Sequence, residues 1–226
     1  MAQLPCPACG AGVAFRGGQS VYAVCAFCGS MVVRHDVDLS SIGRMAALPP
    51  DMSPFQIGTT CLFLGVEYTL AGRVKVGYPD GVWNEWFALG GDGAGAWLAE
   101  AQGTYAFSFE RPLPAGGAND DVLDLLRRQA AGEPDKTVSA LGREIADGPL
   151  TLRVVDIRTV TCIGSEGELP FAAPSGREVL SVDLIGRDGE FGCIEFSAAG
   201  SRYYQGLYVE WPDLKAANLR ALEGWA

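Results

Sequence analysis

From Thr59 onward, short apolar-rich segments alternate with turn residues along the chain, and this pattern predicts β structure. Cys61-Leu62-Phe63-Leu64, Glu67-Tyr68-Thr69-Leu70 and Arg73-Val74-Lys75-Val76 read as three short strands. Tyr78-Pro79-Asp80-Gly81 turns into a strand over 82–89, and the glycine-rich run 90–95 turns into Ala96-Trp97-Leu98. That run lacks the lysine and following helix of a phosphate-binding loop, so it reads as a hairpin connection. Strands resume at 151–157, 179–185, 191–196 and 203–210, the third of these alternating as Phe191-Gly192-Cys193-Ile194-Glu195-Phe196. Helical spacing is confined to two places. Asn119-Asp120-Asp121 precedes an apolar stretch ending in Arg127-Arg128, which predicts a capped short helix. Pro212-Asp213 opens a terminal helix with Leu214, Leu219 and Leu222 near one face. The expectation is a mainly β protein: an antiparallel barrel or sandwich with one or two short helices.

The first 36 residues carry a different pattern. Cys6-Pro7-Ala8-Cys9-Gly10 and Cys25-Ala26-Phe27-Cys28-Gly29 are two knuckles separated by 15 residues. Two intervening residues let both sulfurs of a knuckle reach one ion, and the following glycine permits a positive-φ turn. Val13–Arg16 and Val21–Val24 read as strands joined across Gly17-Gly18, with Met31-Val32-Val33 as a third. This is the layout of a zinc ribbon. Cys6, Cys9, Cys25 and Cys28 are the expected ligands of one structural zinc ion, because four protein sulfurs leave no position for a substrate; a rubredoxin-like iron site on the same knuckles is the alternative. His35, the only histidine, reads as an exposed strand-end residue. The expected organisation is a zinc ribbon over 1–36, a proline-rich linker or docking arm over 37–57, and a β-rich domain over 58–226.

Composition narrows the function. Apolar residues make up 48% of the chain, too many for disorder, and the 30 glycines and 13 prolines fit a core with many turns. A net charge of -10 with only three lysines (Lys75, Lys136, Lys215) argues against nucleic-acid binding and against an anionic membrane surface. No stretch reaches the roughly 18 to 20 apolar residues of a membrane span, and the start has no leader pattern. Cys61, Cys162 and Cys193 are isolated among apolar or small residues, as in a reducing compartment, so a cytoplasmic protein without membrane insertion is expected.

Several stretches carry a family resemblance: Gly72-Arg73-Val74, Trp83-Asn84-Glu85-Trp86-Phe87 and the run from Gly95 to Gly103. Later ones are Gly167-Glu168-Leu169-Pro170-Phe171, Asp183-Leu184 with Asp188-Gly189-Glu190-Phe191, and Tyr204–Val209. Over about Gly58 to Arg220 the chain resembles the family called domain of unknown function 4178, in the form that carries an N-terminal zinc ribbon. It departs at Cys193–Phe196, where the family pattern is a more polar strand. The resemblance implies a bacterial cytoplasmic protein and brings no established reaction.

On a regular strand Trp83 and Glu85 face one side and Asn84 and Trp86 the other. Trp83, Glu85, Trp86 and Trp97 are the candidate ligand or interface residues, able to hold a cationic, polyamine-like ligand by cation–π and carboxylate contacts, or to serve as core and edge residues. Glu168 reads as a turn-fixing carboxylate. With one histidine and no nucleophile motif, catalytic residues are not expected. The leading expectation is a non-enzymatic adaptor or scaffold that contacts another protein. A small-molecule binding module on the Trp83–Trp86 strand and an unrecognised enzyme are the alternatives.

Overall fold

A computed structural model describes residues 2–35, 38–49 and 51–221. The protein is mainly β, with most strands in one large antiparallel sheet and, among the described residues, two short helices. Packing divides it into two units: Met1–Tyr105, Thr161–Arg177 and Val209–Ala226 form the first, Ala106–Val160 and Glu178–Tyr208 the second.

In the first unit, each cysteine knuckle closes its own hairpin. Strands β1 (Ala2–Pro5) and β2 (Gly12–Phe15) flank the first knuckle, and β3 (Tyr22–Val24) and β4 (Ser30–His35) flank the second. The predicted pairing of 13–16 with 21–24 across Gly17-Gly18 therefore gives way to two separate hairpins. The reason is local: Gly10 N–H donates to Cys6 O at 2.8 Å and Gly29 N–H to Cys25 O at 2.9 Å, so each knuckle is itself a tight turn. Gly10 and Gly29 take φ of 77° and 70°, which favours glycine. The stretch expected as a linker or arm begins with a strand, β5 (Asp38–Arg44), paired to β4.

The remaining strands of this unit are long. Strand β6 (Thr60–Phe63) pairs with β7 (Val66–Tyr78), β7 with β8 (Gly81–Gly90), and β8 with β9 (Gly95–Ala101). The expected break within 67–76 is a bulge between Leu70 and Gly72, not a turn. A Cβ on Gly72 would collide with Glu168 O, so this glycine admits a neighbouring backbone. That neighbour is β12 (Leu150–Leu169), whose C-terminal half pairs with β7 and whose last two residues pair with β3. One continuous strand thus holds the ribbon to the sheet. Gly90–Gly95 is the expected hairpin loop, closed by Gly90 N–H to Ala94 O at 2.9 Å.

The terminal helix stops after one turn, α2 (Trp211–Leu214), at a left-handed Lys215. Backbone bonds between Ala217 and Thr60, 3.0 Å in both directions, then draw the tail out as a bridge. Leu222, expected on that helix, lies outside the described residues.

In the second unit, β13 (Glu178–Ile185), β14 (Glu190–Ser197) and β15 (Gly200–Val209) form a meander between the N-terminal half of β12 and β10 (Thr104–Arg111). Helix α1 (Ala118–Ala130) and β11 (Glu144–Asp147) cover one face, burying Leu123, Leu126, Ile145, Val182 and Ile194. Asn119 is no cap. It lies inside α1, donating to Pro114 O and Ala146 O and accepting from Ala146 N–H, which ties the helix to β11.

Candidate functional site

The knuckles bring Cys6, Cys9, Cys25 and Cys28 together, with all four sulfurs within 4.8 Å of one another. Cys6 Sγ lies 3.8 Å from Cys28 Sγ, and Cys9 Sγ 3.8 Å from Cys25 Sγ. A disulfide needs about 2.05 Å, whereas a tetrahedral ion with metal–sulfur bonds of about 2.3 Å requires edges of about 3.8 Å. The donor set therefore fits a metal ion. Cys6 and Cys25 are buried among Val13, Phe15, Ala23 and Val32, Cys28 is half-buried and Cys9 exposed. The Ser30 hydroxyl, 3.2 Å from Cys28 Sγ, and the Ser30 amide pull the Cys28 thiol down to about 6. Cys9 is pushed up to about 12: the Ala11 amide favours its thiolate, but Cys28, burial, Cys25 and Cys6 together outweigh it.

Glu168, 4% exposed, anchors the ribbon. Its carboxylate accepts the Arg16 N–H at 2.8 and 3.0 Å and the Gly17 N–H at 3.2 Å. Tyr22, the first ribbon residue paired to β12, lies 3.1 Å through its hydroxyl from Ser165 Oγ, and burial pushes its phenol up to about 12. His35 is an exposed strand-end residue, its Nε2 3.0 Å from Ser40 Oγ.

The four aromatic and acidic candidates separate. Trp83 Nε1–H donates to Glu85 Oε1 at 2.9 Å, so these two share a side as their alternation requires. Trp86 is fully buried, and Trp97 stacks on Phe171 in the core. Of the four, Trp83 alone lines a cleft of about 460 Å³, together with Met52, Asn84, Glu100, Tyr105 and Trp211 among others.

Two carboxylates beside this cleft were not singled out from the sequence. Glu100 Oε2 accepts from Ser53 Oγ at 2.6 Å, Trp86 Nε1 at 3.1 Å and Asn84 Nδ2 at 3.2 Å. Asp51 binds Lys75 at 2.8 Å, Arg73 at 2.9 Å and Arg220 at 2.7 Å. Burial opposes Asp51 ionisation, but the hydrogen bonds from Lys75 and Arg220 and the Arg73 charge hold its carboxyl well below the usual range. Asp51, Ser53 and Phe55 together seat the segment 51–55 on β7–β9, Phe55 meeting Trp86 edge-on at 6.0 Å. A signal for Glu100 existed: it shares strand parity with Leu98, so period two places it on a buried face.

Fold and cluster together define a mainly β protein with four cysteines able to hold a metal ion. Compared with family profiles, curated proteins and solved structures, the chain matches none. Among the described residues no helix is long and apolar enough to cross a membrane.

Proposed function

We propose that this protein is a non-enzymatic adaptor whose N-terminal ribbon is held by one structural zinc ion and whose contact is with another protein. The observation that carries the reading is the closed quartet. Four protein sulfurs within 4.8 Å of one another, two pairs of them at the 3.8 Å of a tetrahedral edge, can saturate zinc, so such an ion shapes the ribbon and has no open position for chemistry. Support for a protein partner comes from the ribbon surface. Phe27, at the second knuckle, is 80% exposed, and Ile42 on the outermost strand β5 is 47% exposed. An exposed aromatic on a module with few basic residues suits protein contact better than phosphate contact.

A reducing, cytoplasmic setting belongs to the same proposal, supported by the free thiols of Cys61 and Cys162. So does the resemblance to domain of unknown function 4178, whose stretches contain Trp86, Glu100 and Glu168. The test is elemental analysis of protein purified without added metal, followed by affinity capture with wild type, Phe27→Asp and metal-stripped protein. One zinc per chain is expected, with a partner captured by wild type only. Absence of metal, or capture indifferent to both changes, overturns the reading.

A further inference from the structure

We propose that the cleft beside β8 and β9 binds an organic ammonium carried on an apolar body, with Glu100 as its counter-ion. This inference is independent of the ribbon. Glu100 is 9% exposed, yet among the described residues no lysine or arginine lies within ion-pair distance of it. Buried carboxylates ordinarily carry a partner charge, because neutral donors offset only part of the cost of leaving water. Here three neutral donors converge on Oε2 and fix the carboxylate, while Oε1 accepts no hydrogen bond among the described residues.

The neighbouring cations are committed elsewhere. Lys75 Nζ lies 2.8 Å from Asp51 and 3.2 Å from Pro49 O, and Arg73 bridges Asp51 and Glu166, both at 2.9 Å. A second observation points the same way. Asn84, 6% exposed and lining the cleft, has a buried Oδ1 that meets no donor among the described residues, and a flipped amide would turn that oxygen toward the Glu100 carboxylate. Lys75 also lines this cleft, but its charge is paired with Asp51, so among the described residues Glu100 Oε1 is left with neither a donor nor a cation.

The cleft also has surfaces for an apolar body. Trp211 and Tyr105 lie 5.5 Å apart, Trp83 stands on the β8 side, and the rim carries the exposed Met52 and Val82. Aromatic faces favour an organic cation over a metal ion, which would find too few oxygens. The carboxylate of this site is thus Glu100 and not Glu85, which Trp83 already occupies.

The experiment titrates the full-length, metal-loaded protein with 2-phenylethylammonium, its neutral isostere 2-phenylethanol, and 3-phenylpropionate, by calorimetry. The ammonium is expected to bind about tenfold more tightly than the alcohol, the increment of one charge-assisted contact, and the carboxylate to give no heat. Glu100→Gln should abolish that preference. Because Glu100 also holds three donors, Met52→Lys serves as a second variant: 65% exposed, it adds charge at the rim and should weaken the ammonium several-fold more than it weakens the alcohol, which loses only an apolar contact. Equal binding of ammonium and alcohol, no heat at about 10 mM ammonium, or indifference to both variants overturns the proposal.

Discussion

Replacing Glu168 should loosen the ribbon while leaving its cysteines in place. The side chain is buried, and among the described residues no cation pairs with it; two backbone N–H groups compensate it instead. A hydrogen bond to a charged acceptor contributes about 1.5–3 kcal/mol. The Gly17 amide is buried and would be left unsatisfied by Glu168→Ala, whereas Arg16 is exposed and its amide can take water. The full value is therefore expected for one bond and a fraction for the other, giving a loss of about 2–4 kcal/mol. Glu168→Gln retains one acceptor but turns an NH₂ toward the two donors, and should cost about 1–2 kcal/mol.

Urea unfolding at neutral pH measures both losses, with Glu133→Gln on an exposed turn as the charge-matched control. Hydrogen exchange locates them. Amides of Arg16, Gly17 and Val21, the last donating to Leu169 O at 3.1 Å, should exchange faster in the variants, while amides of β13 and β14 stay protected. Stability of Glu168→Ala within about 0.5 kcal/mol of wild type, or unchanged exchange at Gly17, would refute the assignment of Glu168 as the ribbon's anchor.

Other outcomes follow from the same geometry. Cys6→Ser should lower bound-metal content, and chelation should melt the ribbon's exchange protection before that of β13–β15, since metal binding supplies on the order of 10 kcal/mol to such modules. Asp183→Asn should stabilise the protein by about 2 kcal/mol at pH 7: burial, then Asp156, push the Asp183 carboxyl up to about 6 against the opposing Arg158, so the folded state loses stability as pH rises from about 4 through 6. Thermal melts of both proteins across that range check the sign, the gap closing in acid. Asp51→Asn should cost about 3 kcal/mol at neutral pH by stranding Lys75 and Arg220, and the wild-type advantage should fade as pH drops below about 4. Gly206→Ala should unfold the protein or expel β15, because a Cβ there would meet Phe107 O; loss of the cooperative melt reads this out.

What the sequence disclosed and what it withheld divide along one physical line. The quartet was legible because metal coordination is local: two residues between cysteines fix the geometry of a knuckle whatever surrounds it. The β class was legible because period-two alternation and turn residues are local as well. Strand length was not. Ala71-Gly72 reads as a break, but Gly72 is there to let Glu168 O approach, a requirement set by a residue 96 positions away. The buried charges were withheld for the same reason. Asp51 reads as part of a proline-rich connector until Lys75, Arg73 and Arg220 converge on it, and Glu100 reads as one acidic residue in a strand until Ser53, Asn84 and Trp86 donate to a single oxygen. Charge burial is a property of tertiary neighbours, and pattern along the chain reports only which face a side chain joins. A carboxylate at an inward parity position is therefore the useful flag in a strand: the fold must answer it with donors, with a cation of its own, or with one taken from solution.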